Sequence, residues 1–166
     1  MPLFSPSIVW DVAAGRIALN DSYEYRIDVH DFDGAAFDIT RALEPRRLTR
    51  EDALERIGDP PRMPNPYGAD CGRFDADVIL ETRGWYPFEQ IVERIQIAPD
   101  GAVWVSRSVA PADDPVTDIF DAAGRYVGTL PPDAPFPDAF TPEGDIVVIE
   151  QGEFDVEQVV VYAIGR

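Results

Sequence analysis

Cysteine and histidine are almost missing from this chain of 166 residues: Cys71 and His30 each stand alone. A lone cysteine forms no disulfide within the chain and builds no CxxC metal or redox motif. A lone histidine excludes a multi-histidine metal site and weakens any histidine-based triad. Lysine is absent altogether, so all 14 basic residues are arginine. Biased codon usage accounts for this better than selection for bidentate contacts. No run approaches the roughly 20 apolar residues of a transmembrane helix, and the N-terminus lacks a basic stretch followed by an apolar one. The expectation is a chain with no membrane insertion and no export signal as written. GxSxG, P-loop and GxGxxG patterns are missing, and no serine has a partner pattern that would mark a nucleophile. Positive charge is scarce as well. With 31 acidic residues the net charge is −17, which disfavours nucleic acid and anionic membrane as partners, since both reward a positive surface.

What the chain does have is turns and short β-forming runs. Apolar residues make up 45% and aromatics 11%, enough for a real core, and 16 prolines with 12 glycines punctuate the chain often. That balance suits short strands better than a helical bundle. The clearest phrase is Ile95-Gln-Ile-Ala-Pro-Asp-Gly-Ala-Val-Trp-Val105, a hairpin whose Asp-Gly turn supplies positive φ cheaply. Upstream, the pattern predicts strands over Ser7–Ala13, Arg16–Asn20, Tyr23–Phe32 and Ala35–Arg41. In the third, Tyr23, Tyr25, Ile27 and Val29 alternate with Glu24, Arg26, Asp28 and His30, the mark of a half-buried strand. Thr49-Arg-Glu-Asp52 opens the only expected helix, with Thr49 as N-cap and Gly58 as its stop. Residues 58 to 77 read as an irregular excursion, and order returns at Val78-Ile-Leu80. Further strands are expected over Val116–Asp121, Arg125–Leu130, Pro135–Thr141, Asp145–Glu150 and Gln158–Tyr162.

Gly15, Gly101 and Gly144 follow equivalent strands and lie 86 and 43 residues apart, the first interval being twice the second. A period near 43 with about four short strands per unit is the pattern of propeller blades. The expected fold is therefore all-β: a partial β-propeller of four-stranded meanders, with one short helix and an irregular insertion. Residues 7–41 form the first blade, 42–90 the helix and insertion, 91–131 the second blade, and 132–166 a third blade lacking its outermost strand. Pro99-Asp-Gly-Ala-Val-Trp-Val105, Asp118-Ile-Phe-Asp121, Gly124-Arg-Tyr-Val-Gly128 and the closing Val159-Val-Val-Tyr162 resemble bacterial six-bladed propellers of the NHL and TolB-like kind. The resemblance implies a ring of six blades, of which this chain supplies about three. Either further sequence or a second copy would complete it, so a homodimer is an expected partner arrangement. It also implies an exported protein if sequence is missing upstream.

Few residues stand out as chemistry. Asp31-Phe-Asp33-Gly34 fails as an EF-hand loop, because its twelfth position is Ala42 rather than Glu. Asp11, Glu93, Asp138 and Asp155 lie near expected strand starts, and the resemblance implies that such carboxylates could hold Ca²⁺ at a channel mouth, as in lactonase-type hydrolases of that fold; otherwise no cofactor is expected. Arg46, Arg47 and Arg50 form the only basic cluster, a candidate grip for an anionic group or a local neutralisation of acidic neighbours. Among the tryptophans Trp10, Trp85 and Trp104, Trp85 is the candidate exposed aromatic, and Trp104 is expected to pack between blades. The leading expectation is a binding or interaction module, with a channel-centred, Ca²⁺-dependent hydrolase as the alternative.

Overall fold

A computed structural model describes residues 2–58, 75–108 and 115–164. Most of the stretch expected to be irregular, with Cys71, therefore lies outside the described residues.

The first sheet contains β1 (Val9–Ala13), β2 (Arg16–Asn20), β3 (Arg26–Asp31) and β4 (Ala36–Thr40), antiparallel and in that order. The turn between β1 and β2 has positive φ at both Ala14 (51°) and Gly15 (75°), the mirror-image geometry that follows the natural twist of a hairpin. The predicted alternation is observed: Tyr25, Ile27 and Val29 are buried, while His30 is exposed. The second sheet repeats the meander with β5 (Val92–Ile97), β6 (Val103–Arg107), β7 (Val116–Phe120) and β8 (Tyr126–Leu130). The third contains β9 (Ala139–Phe140), β10 (Ile146–Gln151) and β11 (Glu157–Tyr162), with β10 in the middle. Among the described residues this sheet has three strands, and its first strand is only two residues long. Pro135 and Pro137 precede it and have no N–H to give a ladder. The molecule is all-β, a partial propeller of meander blades.

Packing between the sheets follows from strand parity. On β6 the side chains of Val103, Trp104, Val105 and Ser106 are all buried. Alternate residues of a strand point to opposite faces, so a strand buried at every position must be covered on both sides. Val103 and Val105 join Ile95, Ile97 and Phe120 against Ala18, Ile27, Val29 and Ile39 of the first sheet. Trp104 turns the other way and packs with Ile146, Val148 and Phe140 of the third sheet. Its ring meets Phe140 edge-on, with centroids 5.5 Å apart. Trp104 thus lies between two sheets, as its strand position predicts.

Among its described residues the insertion holds two helices, where the sequence predicts one. α1 (Arg50–Ile57) has the expected start: Thr49 accepts from the Asp52 N–H, and Asp52 accepts from the Thr49 N–H, a reciprocal capping box. The second, α2 (Ala76–Arg83), runs through Val78-Ile-Leu80 and into the stretch expected to be irregular. Asp75 caps its N-terminus, accepting from the Asp77 N–H at 3.0 Å, and Gly84 ends it at φ +66°. These end signals outweigh the β preference of the short apolar run between them. Leu48, Ala53 and Leu80 are its buried anchors to the rest.

Candidate functional site

The arginines of the basic cluster separate into different roles. Arg46 donates from Nε to Glu89 at 2.8 Å and from Nη1 to Asp52 at 3.1 Å. Arg50, on α1, pairs with Asp77 of α2 and lies 3.6 Å from Glu81. Both neutralise acidic neighbours and tie the insertion together; Arg56 does the same with Glu89. Arg47 differs: its backbone bridges Phe88, and its side chain is exposed. Trp85 is half-buried, held by a parallel bridge to Leu3, and its indole N–H is enclosed. The four residues are not gathered around one concavity.

The carboxylates near strand starts are also dispersed. Asp11 accepts the Ile97 N–H at 2.7 Å, tying the first sheet to the second. Asp138 accepts from Ile149 N–H at 2.7 Å and from Arg94 at 2.6 Å. Glu93 sits at a bulge in β5, and Asp155 lies in a single 3₁₀ turn between β10 and β11. Among the described residues, no three His, Cys, Asp or Glu side chains are placed to share one ion.

Two other constellations emerge, both between sheets. The first is Asp118 on β7, with no side-chain exposure. Its Oδ2 accepts from Arg41 at 2.5 Å and from Arg107 at 2.8 Å, and its Oδ1 accepts from Thr129. Burial pushes this carboxyl upward, and the bonds from Thr129, Arg41 and Arg107 outweigh that push, holding it below the ordinary carboxylate value. The Arg41 guanidinium also lies 4.6 Å from the Tyr126 ring centroid. Burial, and then the nearby Asp118 charge, raise the Tyr25 hydroxyl far above its usual range. Every ionised group here has its counter-charge, so the cluster reads as a joint. Its sequence signal was parity: Asp118 shares a strand face with buried Phe120.

The second constellation is a groove of about 970 Å³ between the second and third sheets, at their turn ends. Trp104, Ile119 and Phe140 line its floor, and Asp100, Asp121, Glu143 and Asp145 line its rim together with Arg125. The carboxylates come from three hairpin turns; Asp100 and Asp121 stand there because Asp at the start of such turns caps following backbone N–H groups, while in the third turn Thr141 takes that place. Asp100 accepts from the Ala102 N–H at 3.0 Å, and Asp121 from the N–H groups of Ala123 at 3.0 Å and Arg125 at 2.9 Å. The Arg125 side chain, followed by its backbone N–H, holds the Asp121 carboxyl low. Arg125 pairs with Asp121, and Asp100 and Asp145 leave the rim negative above an apolar, aromatic floor. A concave apolar surface with a few convergent polar groups is the usual form of a small-ligand seat. The sequence points to the turns and to Trp104 singly; their convergence depends on how adjacent sheets stack. Comparison with protein-family models and with curated proteins finds no match for this chain.

Proposed function

We propose that this chain is a binding module built from blades of a six-bladed propeller of NHL or TolB-like kind, and that its ligand is an organic cation with an apolar body seated between the second and third sheets. One observation carries the reading: the aromatic floor of Trp104 and Phe140 and the carboxylate rim of Asp100, Asp121, Glu143 and Asp145 meet in the same groove. An ammonium group gains from carboxylates and from the faces of aromatic rings, while the apolar body removes floor area from water at about 25 cal/mol per Å². An anion of the same shape meets the like charges of Asp100 and Asp145.

The test is a titration of the protein with phenethylamine and, separately, with 3-phenylpropionate, followed by the shift of the Trp104 indole resonance. The amine is expected to bind and the acid to leave the resonance unmoved. The double variant Asp100→Asn, Asp145→Asn, which keeps the Asp100 turn-capping oxygen, is expected to weaken the amine at least tenfold. Equal response to amine and acid would overturn the reading, as would an unchanged affinity in the double variant.

A further inference from the structure

Each sheet has two faces, and the hairpin glycines allow them to be compared directly. On the strand after each glycine, the residues two and four positions on face the preceding sheet. Val103 and Val105 after Gly101 pack against the first sheet, and Ile146 and Val148 after Gly144 pack against the second. The residues of opposite parity face the following sheet: Ala18 after Gly15 meets the second, and Trp104 meets the third. The same contact is thus made twice within the chain, a trailing face of one sheet against a leading face of the next.

One half of each kind is left over. The leading face of the first sheet places Ile17 and Leu19 beside Trp10 and Val12, which are 60% and 43% exposed. The trailing face of the third sheet places Val147 opposite Val161 and Ile149 opposite Val159, with Ile149 and Val159 55% and 69% exposed. Contiguous apolar faces of this kind are rarely left to water. We infer that they bind each other between two copies of the chain. The trailing face of each copy covers the leading face of the other, so that two chains close one ring by a two-fold axis.

The internal contacts also say which strands meet. β5, the first strand of its sheet, lies against β1 and β2 of the preceding one. By the same rule, β1 of one copy comes against β9 and β10 of the other, which brings Trp10 and Val12 against Val147 and Ile149. Closure uses both faces of both copies and leaves none over, whereas an arrangement of like faces would leave two unmatched. Closure by two copies rests on the six-bladed reading proposed above, and is independent of what the groove binds, since Trp104 and Phe140 lie at an internal contact.

Sedimentation velocity and native mass spectrometry of the wild-type chain at micromolar concentration test it. A species of twice the 18.4 kDa chain mass is expected. Val12→Arg and Ile149→Glu should each yield a monomer with wild-type circular dichroism. An equimolar mixture of the two should recover a dimer, because the altered faces are then oppositely charged and the other pair is unaltered. A folded wild-type monomer would overturn the inference, as would an open series of higher oligomers. Failure of the mixed variants to associate would do the same.

Discussion

Between the first and second sheets the chain places a buried carboxylate, two guanidinium groups and a threonine hydroxyl in mutual contact; between the second and third it places an aromatic pair beneath an open acidic rim. The first joint is closed by further ties. Arg16 of β2 donates to the carbonyls of Gly101 and Ala122, both at 2.9 Å, so one side chain pins two turns of the neighbouring sheet. Across the second joint Arg94 ties to Asp138, and both groups are partly exposed. Dense buried polar networks fix one arrangement, whereas an apolar floor with few ties can exchange water for a ligand. Under the proposed function, the first joint serves structure and the second recognition.

The comparison breaks most sharply at Asp118. Asp118→Ala would leave Arg41 and Arg107 facing each other without a counter-charge, a loss of about 3–5 kcal/mol in unfolding free energy by denaturant titration. Amine binding in the groove should persist under conditions where the variant remains folded. The native pH dependence has a definite sign. A carboxyl held below its unfolded value of about 3.9 contributes stability above that pH, and the contribution is lost as pH falls through the folded value. Asp118→Asn should therefore flatten the acid limb of the stability profile; an unaltered limb would show that other carboxylates set it.

The turn glycines provide a smaller and more local contrast. Gly124, at φ +75°, faces the first sheet, and a Cβ there would meet the Phe37 ring at 2.6 Å and Ile39 at 3.3 Å. Gly144, at φ +95°, would meet nothing within 4 Å. Both substitutions by alanine incur the backbone cost of positive φ, about 1–2 kcal/mol. Gly124→Ala adds an overpacking cost of about 1–3 kcal/mol, because the aromatic ring is itself packed against Arg16, 5.8 Å away. Thermal unfolding should rank Gly124→Ala below Gly144→Ala. Equal losses would mean that the first joint yields more readily than its packing implies.

How much of this could be read from the chain follows the range of each interaction. The hairpins, the 43-residue spacing and the Thr49 cap are local, so propensity and turn chemistry reveal them; the inward run Tyr25, Ile27 and Val29 is visible by parity. Helix α2 carried its own end signals in Asp75 and Gly84, but three β-preferring residues between them obscured it. The groove is different in kind. Ala98, Trp104, Ile119 and Phe140 come from separate strands and turns of two sheets, and nothing in their local sequence states that the sheets place them together. The arginine cluster was visible as a cluster, yet Glu89, which neutralises Arg46, is 43 residues away.

Arg94 allows the finest distinction between the joints. Its guanidinium lies 2.6 Å from Asp138 and 4.6 Å from the Phe136 ring centroid, with about half of the side chain exposed. An exposed ion pair is worth about 0–1 kcal/mol, and a cation–π contact at such a site about 0.5–1 kcal/mol. Arg94→Met, which retains an apolar stem, should therefore reduce stability by about 1 kcal/mol or less. The Asp138 carboxyl should remain below the ordinary range in that variant, because the Ile149 N–H is the first cause of its depression; burial opposes it, and Arg94 lowers it by less than Ile149 does. The corresponding change in the first joint, Arg41→Met, removes a principal counter-charge of a fully buried carboxylate and should raise Asp118 visibly in a carbon-detected titration. If Asp138 rose as much as Asp118, the second joint would depend on its ion pair as the first does. The exposed tie would then be a fixed part of the structure, and the groove beside it would be less free to rearrange around a ligand.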